Sequence, residues 1–460
     1  MANIDIRRTH IRIYADHKKV LLRPLLFGLD PKRIDPVVTY VSQKTEDEVS
    51  QEIEKLEAEF AFRHYNFKEV CLANYRKVNP QIENQLTENQ KYLIGAYFTN
   101  EYSIQASALF NPSIVPLGTM DENGNQEFVL SLRATGEGHI SSLAFQSGRI
   151  TSGGEIVVDT PEKKITEGQI SPIQKLPTNY VLSFIGKSTP ANDNTLIDLN
   201  AAIAAYSDVE SAEENLKNVF EACYTIQFPG HIPLSSRVLF PHSKMESNGI
   251  EDVRFVRFEE ENFYLGTYTA YNGKQIRAHL IKTADFLNFE IYPLAGAAVK
   301  DKGLAFFPRK INDKYYMVGR QDGRSLFLMQ SDNMLVWDHM DLFQSPGFTW
   351  DMLQIGNNGS PVETDEGWLL LTHAVGPMRK YTLSISLLER ENPGKVRAVL
   401  EQPLMAPTEE EREGYVPNVL YTCGMMRFGN LLVIPYAMSD SAISFATVEI
   451  DHLLHQLRKA

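Results

Sequence analysis

One pattern returns five times from residue 128 onward and limits what this chain can fold into. Each copy is a short run of strand-forming residues, a polar residue, a tight turn and a second apolar run. The copies begin at Phe128, Phe263, Tyr315, Trp368 and Leu431, so the starts are separated by 135, 52, 53 and 63 residues. The last three intervals are close to the length of one β-propeller blade. The first interval holds a blade plus an insertion, expected at about Thr189–Glu221, where Ser211-Ala212-Glu213-Glu214 reads as a helix start. Five copies therefore predict an all-β, five-bladed β-propeller over residues 106–460. Short strands at regular spacing also fit a large β-sandwich; the recurrence favours the propeller.

In a propeller, equivalent positions on different blades face one axial cavity. The residue five positions after each repeat start is Arg133, Tyr268, Arg320, His373 or Tyr436. A ring of two arginines, a histidine and two tyrosines suits an oxyanion, because guanidinium forks bind such oxygens in pairs. Singly these residues read as ordinary strand ends. A second series precedes the first: Asn111-Pro112-Ser113, Ile250-Glu251-Asp252, Phe306-Phe307-Pro308, Gly359-Ser360-Pro361 and Val416-Pro417-Asn418. Its prolines fit the edge strand nearest the axis. Asp252 lies here between Glu251 and Arg254, and a walled-in carboxyl that stays protonated near neutral pH can act as a general acid. Alone, this group also reads as a surface salt bridge.

Residues 1–105 differ from the rest. Thr45-Glu46-Asp47-Glu48 fits a capping box ahead of Val49, Ile53, Leu56 and Phe60 at helical spacing. The expected helix runs into the Phe62–Lys77 region and stops at Asn79-Pro80. A second start is Thr87-Glu88-Asn89-Gln90. The segment is expected to pack on the propeller as a helical extension, and to offer a surface for homo-oligomers.

The net charge of −13 disfavours nucleic acid as a partner. A neutral sugar is indifferent to it, whereas a phosphate needs a local basic pocket. Cys71, Cys223 and Cys423 are too few and too widely spaced for a disulfide framework or a CxxC metal site. The N-terminus lacks the apolar stretch of a signal peptide and the chain lacks a membrane-length apolar run. The expectation is a cytoplasmic protein with reduced thiols and no membrane partner.

From Asn248 to Leu454 the chain resembles glycoside hydrolase family 130, the mannoside phosphorylases and β-mannosidases. The motifs are Gly249-Ile250-Glu251-Asp252-Val253-Arg254, Phe307-Pro308-Arg309-Lys310-Ile311, Gly359-Ser360-Pro361, Glu366-Gly367-Trp368-Leu369-Leu370, Leu371-Thr372-His373, Val416-Pro417-Asn418-Val419 and Ala446-Thr447-Val448. Upstream, Phe110-Asn111-Pro112-Ser113 and Ser131-Leu132-Arg133 resemble the first blade. The resemblance implies a five-bladed propeller and inverting chemistry at a β-mannosyl linkage, with no metal or other cofactor. It implies that Asp252 is the proton donor, acting through a hydroxyl of the bound sugar. In a phosphorylase, inorganic phosphate is the co-substrate, and Arg133, Arg320, His373 and Tyr381 match its ligands. Asn111, Glu251, Arg254, Lys310, Ser360, Asn418 and Tyr436 are taken as substrate-binding.

The sequence also departs from the family. Val253 stands where family phosphorylases usually carry proline. Gln354 stands where a phosphate-binding lysine is common, and His139-Ile140-Ser141-Ser142 occupies the region of a second first-blade arginine. Lys310, Arg379 and Lys380 are candidates to restore the charge. The leading expectation is release of mannose 1-phosphate from an oligosaccharide or other mannoside. The alternatives are an inverting β-mannosidase, with Glu137, Glu251 or Asp440 as base, synthesis by the reverse reaction, and a non-catalytic sugar-binding propeller. Tyr271, Phe306, Trp350 and Tyr415 are candidates to stack on sugar faces or to serve as packing.

Overall fold

The strands beginning at Phe128, Phe263, Trp368 and Leu431 are nearly continuous apolar runs, which implies burial on both faces. A computed structural model, describing residues 4–25, 30–78, 85–187 and 195–457, shows how. Side chains alternate along each strand, so neighbouring residues enter different cores. Phe128, Leu130 and Leu132 join one core and Val129 another; Trp368 and Leu370 join one, Leu369 and Leu371 another.

The pairings define five four-stranded antiparallel meanders. The first is Ala108–Pro116, Gln126–Thr135, Ser141–Ile150 and Ile156–Val158. The second is Gly249–Phe258, Phe263–Tyr271, Ile276–Thr283 and Asn288–Pro293, joined to the first by a one-residue parallel contact, Gly249 with Ser141. The third is Ala305–Phe306, Tyr315–Gly319, Leu326–Ser331 and His339–Gln344. The fourth is Gln354–Asn357, Gly367–Val375, Tyr381–Leu388 and Val396–Val399. The fifth is Leu420–Tyr421, Leu431–Met438 and Ala442–Glu449, completed by the N-terminal strand Arg7–Arg8.

Five cores link these units in order. Val129 and Phe145 pack with Phe255 and Tyr264, and Phe258 and Leu280 with Met317 and Trp337. Val318 and Leu326 pack with Trp368 and Leu370, and Leu371 and Leu383 with Leu432 and Ile434. Phe128 and Leu130 of the first meander pack with Val433 and Phe445 of the fifth, so the order closes on itself. Each fully buried Leu or Phe contributes roughly 1.5–3 kcal/mol.

The N-terminal helices are Pro31–Ser42, Glu46–Phe60, Phe67–Val78 and Glu88–Tyr97, around a core of their own. Capping boxes form at Thr45 with Glu48 and at Thr87 with Gln90. Two expectations need correction. The helix from Glu46 does not run on to Lys77: the backbone of His64 is extended, and its ring is held by Glu101 at 2.8 Å. The expected stop at Asn79-Pro80 lies outside the described residues. Nor is the start of the chain helical. Arg7–Arg8 and Ile13–Tyr14 pair with Ala442–Glu449, because Ile4 and Ile6 pack on one of these cores and Ile11 and Ile13 on the next.

The helix Thr178–Ser183 leads toward the expected insertion, which holds helices Leu199–Ala205 and Ala212–Ala222; residues 188–194 lie outside the described set. The three cysteines are buried and free. Among the described residues no helix is long and apolar enough to cross a membrane.

Candidate active site

Asp252 sits at a β-bulge, between Glu251 paired with Thr269 and Arg254 paired with Thr267. Bulges re-aim a side chain and recur beside active sites. The backbone of Asp252 is left-handed, φ 54°, a conformation that costs a non-glycine residue of order 1–3 kcal/mol. The first meander repeats this bulge between Phe110 and Ser113, with Asn111 at φ 49°, and Asn418 of the fifth has φ 64°. Pro112 follows the bulge residue in the first meander as Val253 does in the second.

The two bulge residues meet. Asn111 Nδ2 donates to Asp252 Oδ1 at 2.7 Å. Arg133 donates through Nη1 to Asp252 Oδ1 at 3.2 Å, through Nη2 to Glu251 Oε1 at 2.6 Å and through Nε to Ser141 Oγ at 2.9 Å. All three guanidinium nitrogens of Arg133 are therefore engaged, which sets it on the carboxylates and not on a free anion site. The Oδ1 atom of Asn111 is buried and has no hydrogen-bond partner among the described residues.

On the other side of Asp252 is a cavity of about 20 Å³, lined by Arg254, Lys302, Arg320, Asn357, His373 and Tyr421. Arg254 donates to Asn357 Oδ1 at 3.2 Å and to Tyr421 Oη at 2.7 Å. Arg320 donates through Nε to Asp301 Oδ2 at 3.2 Å. Its Nη1 lies 3.5 Å from His373 Nε2, and His373 Nδ1 lies 2.9 Å from Asn358 Oδ1. Arginine only donates, so Nε2 accepts and Nδ1 carries the proton. Asn358 is oriented by its own bond to the Thr422 carbonyl at 2.6 Å. The rings of His373 and Tyr381 stack at 5.7 Å. Two glycines allow this packing: a Cβ on Gly356 would fall 2.3 Å from the His373 ring, and one on Gly303 2.5 Å from the Arg254 guanidinium.

Charge separates the acids. Burial alone would push the Asp252 carboxyl up, but Arg133, Lys302, the Asn111 hydrogen bond and Arg254 outweigh it and hold it below the usual carboxylate range. The expectation of a resting protonated Asp252 is thus corrected: neighbouring cations win over the walls. Asp440 goes the other way, pushed up to about 6 by burial and by the charge of Asp252. His373 is held well below its ordinary value by burial, then by Arg320 and Arg254, so it is neutral at pH 7 and adds no cation.

The five-membered ring does not assemble. Arg133 pairs with Phe110, one residue before the bulge, and the residue pairing one place before the Asp252 bulge is Thr269. Tyr268 is one residue off, and a one-residue slip turns a strand side chain to the other face. Tyr268 accordingly bonds Glu246 inside the core. In the fifth meander Leu420 pairs with Met438 as Ser113 pairs with Ser131, so Asp440 is the counterpart of Arg133. Tyr436 falls four residues short, fully buried, with its hydroxyl on Glu411 at 2.7 Å.

Three other proposed substrate contacts lie elsewhere. Lys310 is turned outward over the Tyr315 ring, near Glu261. The Asn418 side chain is held by Arg412 at 2.9 Å. Ser360 lines a different cavity of about 400 Å³ with Arg309, Glu363, Arg390 and Arg427, where the opposite ends of the same inner strands converge. Gln354 is not among the residues lining the Asp252 cavity. Phe306 is core against Trp337, and Trp350 donates to the Glu401 carbonyl. Tyr415 stacks on His139 at 6.4 Å, with its ring exposed. Sequence reasoning missed Lys302, Tyr421, Asn357 and Asp301. Lys302 is a lysine of the kind missing at Gln354, but on the loop before the third meander.

A family model described as β-1,4-mannooligosaccharide phosphorylase, that of glycoside hydrolase family 130, matches residues 214–459. The chain belongs to glycoside hydrolase family 130. Within it, a 1,2-β-oligomannan phosphorylase of Thermoanaerobacter sp. strain X514 is 30% identical over 221 residues, 47% of this chain and 74% of that protein. A β-1,2-mannobiose phosphorylase of Listeria innocua is 28% identical over 231 residues, 48% of this chain and 63% of that one. The solved structure of a β-1,2-mannobiose phosphorylase from Listeria innocua, in complex with β-1,2-mannobiose, covers 77% of this chain and 93% of its own, with a TM-score of 0.50 at 20% identity. The chain is thus a mostly β enzyme of the family 130 phosphorylase and glycosidase type.

Proposed function

We propose that this family 130 enzyme is an inverting mannoside phosphorylase built as a five-bladed propeller. Five meanders packed in a closed order support the propeller, with the N-terminal helices as an extension on it. The observation that carries the chemistry is one carboxylate sharing a cavity with Arg254 and Lys302, cations that have no carboxylate ion pair among the described residues, and with Arg320.

Phosphate held by Lys302, Arg254 and Arg320, with Tyr381 and neutral His373 beside it, attacks the anomeric carbon as the C1–O bond breaks. The leaving oxygen takes a proton that originates on Asp252 and passes through a sugar hydroxyl. Fixed cations favour both the bound anion and the charge developing in the transition state. Phosphate also reconciles the low resting pKa with an acid role. Its negative charge offsets the fields of Lys302 and Arg254, so Asp252 gains affinity for a proton once the co-substrate is bound. Arg133 holds Asp252 and Glu251 in place, and the free Asn111 oxygen can accept a sugar hydroxyl. No cofactor is needed for this reaction.

The test is a screen of β-linked mannosides with and without phosphate, run on the full chain and on Asp252→Asn. Phosphate-dependent mannose 1-phosphate, lost in the variant, supports the reading. A second reading, inverting hydrolysis, is favoured by Asp440, whose carboxyl titrates near 6 beside Asp252, a value suited to a base. Free mannose without phosphate, abolished by Asp440→Asn, would establish that reading instead.

A further inference from the structure

One large cavity beside the site lies against the stretch that leads into the insertion. It measures about 600 Å³ and is lined by Phe184, Arg277, Lys300, Asp301 and Asp338. A second cavity of about 140 Å³ shares Phe184 and Arg277 and adds Asn215, Asn218 and Gln275. The two are halves of one groove, parted where the Arg277 guanidinium lies 5.1 Å from the centre of the Phe184 ring.

The groove adjoins the site. Asp301 lines it and also accepts from Arg320, and Lys302 on the same loop lines the Asp252 cavity. Glu251 pairs with Thr269 and Thr269 with Ala278, which lines the groove, so the bulge and the groove are two strand spacings apart, about 10 Å. Its acids are already used: Asp301 holds Arg320, and Asp338 accepts from the Ala297 amide at 3.0 Å. Its donors are not. Arg277, Lys300, Asn215, Asn218 and Gln275 make no side-chain hydrogen bond among the described residues. An aromatic face edged by free amides and cations is the chemistry that recognises sugar rings and hydroxyls. Asn215 and Asn218, three apart on the helix Ala212–Ala222, present their amides on one side. Phe184 precedes the stretch matched by the family model, whereas Asn215, Asn218 and Arg277 lie within it.

We infer that the groove binds the distal units of a neutral β-mannoside oligosaccharide whose scissile bond lies at Asp252, giving the enzyme a preference for long chains over the disaccharide. This rests on the mannoside reading above. The experiment compares the full chain with Phe184→Ala/Arg277→Ala, and separately with Asn215→Ala/Asn218→Ala on the exposed helix. The readout is the ratio of kcat/KM for a long β-mannooligosaccharide over that for the disaccharide, at saturating phosphate. A fall of about tenfold in that ratio in both variants is expected; an unchanged ratio in either folded variant overturns the inference. If the unaltered chain turns over no β-mannoside, the functional reading fails and calorimetry decides the groove. Long mannosides should then bind the chain more tightly than the disaccharide, and the advantage should vanish in the variants. Equal binding of long and short mannosides would overturn the groove as well.

Discussion

The two ends of the inner strands hold the same kind of side chain in opposite states. The strand Gly249–Phe258 lines both ends, with Asp252 and Arg254 at one and Phe255, Val256 and Arg257 at the other. At the second end Glu363 accepts from Arg309 at 2.6 and 2.8 Å and from Arg390 at 2.7 Å, and its backbone carbonyl accepts from Arg427. Cations there are matched by a carboxylate. At the first end Arg254 and Lys302 have no carboxylate ion pair among the described residues, and Asp252 and Glu251 are held by Arg133. Matched charge ties strands together, whereas unmatched charge in a small cavity is a standing demand for an anion. On the function proposed above, that contrast puts catalysis at one end and cohesion at the other.

The harshest way to break this assignment is Asp252→Asn. The amide keeps the Asn111 and Arg133 neighbourhood at similar size but supplies no acidic proton. Turnover should fall about 10²–10⁴-fold, with melting temperature changed far less. A variant that keeps full activity would remove Asp252 as the acid.

Next in size are the cations. Arg320→Ala and Lys302→Ala should each raise the KM for phosphate by about 10- to 100-fold, the loss of one charged hydrogen-bonding partner. The KM for the sugar should move much less. Equal loss of both would mean that these side chains support the sugar pocket and not an anion. Lys302 is the sharper probe, because Arg320 also holds Asp301 and its removal leaves that acid unpaired.

That Asp252, Arg320 and His373 line one cavity was legible because their motifs recur in the repeat and match the family order. Tyr268 and Tyr436 were misread because offsets were counted from strand starts, whereas register is set by the bulge. Counting from Asn111, Asp252 and Asn418, each with positive φ, aligns Arg133 with Thr269 and Asp440 instead. Lys302 and Tyr421 come from a loop and a two-residue strand, where no periodicity marks a direction. The same holds for Arg7–Arg8, a strand too short to carry an alternating pattern yet completing the fifth meander. Short apolar runs predicted strands well, but only pairing revealed which residues meet across meanders.

Asp440 tests the field at the catalytic end through stability. Its folded pKa, about 6, lies above the 3.8 of an ordinary aspartate. Between these values the folded state holds a proton that the unfolded state has released, so stability falls as pH rises through this window. Asp440→Asn removes that loss. The variant should gain on the order of 1–2 kcal/mol at pH 7 over the parent, after allowing for solvent screening, and nothing at pH 4. A constant offset across pH would show that Asp440 does not feel Asp252.

The smallest effect belongs to the other end. Glu363 is held below its ordinary value, first by its hydrogen bond from Arg309 and then by Arg390. A carboxylate with a lowered folded pKa contributes stability above its unfolded pKa and loses it as pH falls through the folded one. Glu363→Gln keeps the shape, but its single amide oxygen can accept at most two of the three arginine hydrogen bonds, and without the charge, in a site that water reaches. The cost should be about 1 kcal/mol at pH 7, shrinking toward zero at acid pH where the parent glutamate is also neutral. Thermal melts across pH check the sign, and turnover with phosphate at pH 7 checks the division between ends. An unaltered rate with a lowered melting temperature is what a purely cohesive cluster gives. A rate loss comparable to that of Lys302→Ala would mean that both ends of the inner strands serve the reaction.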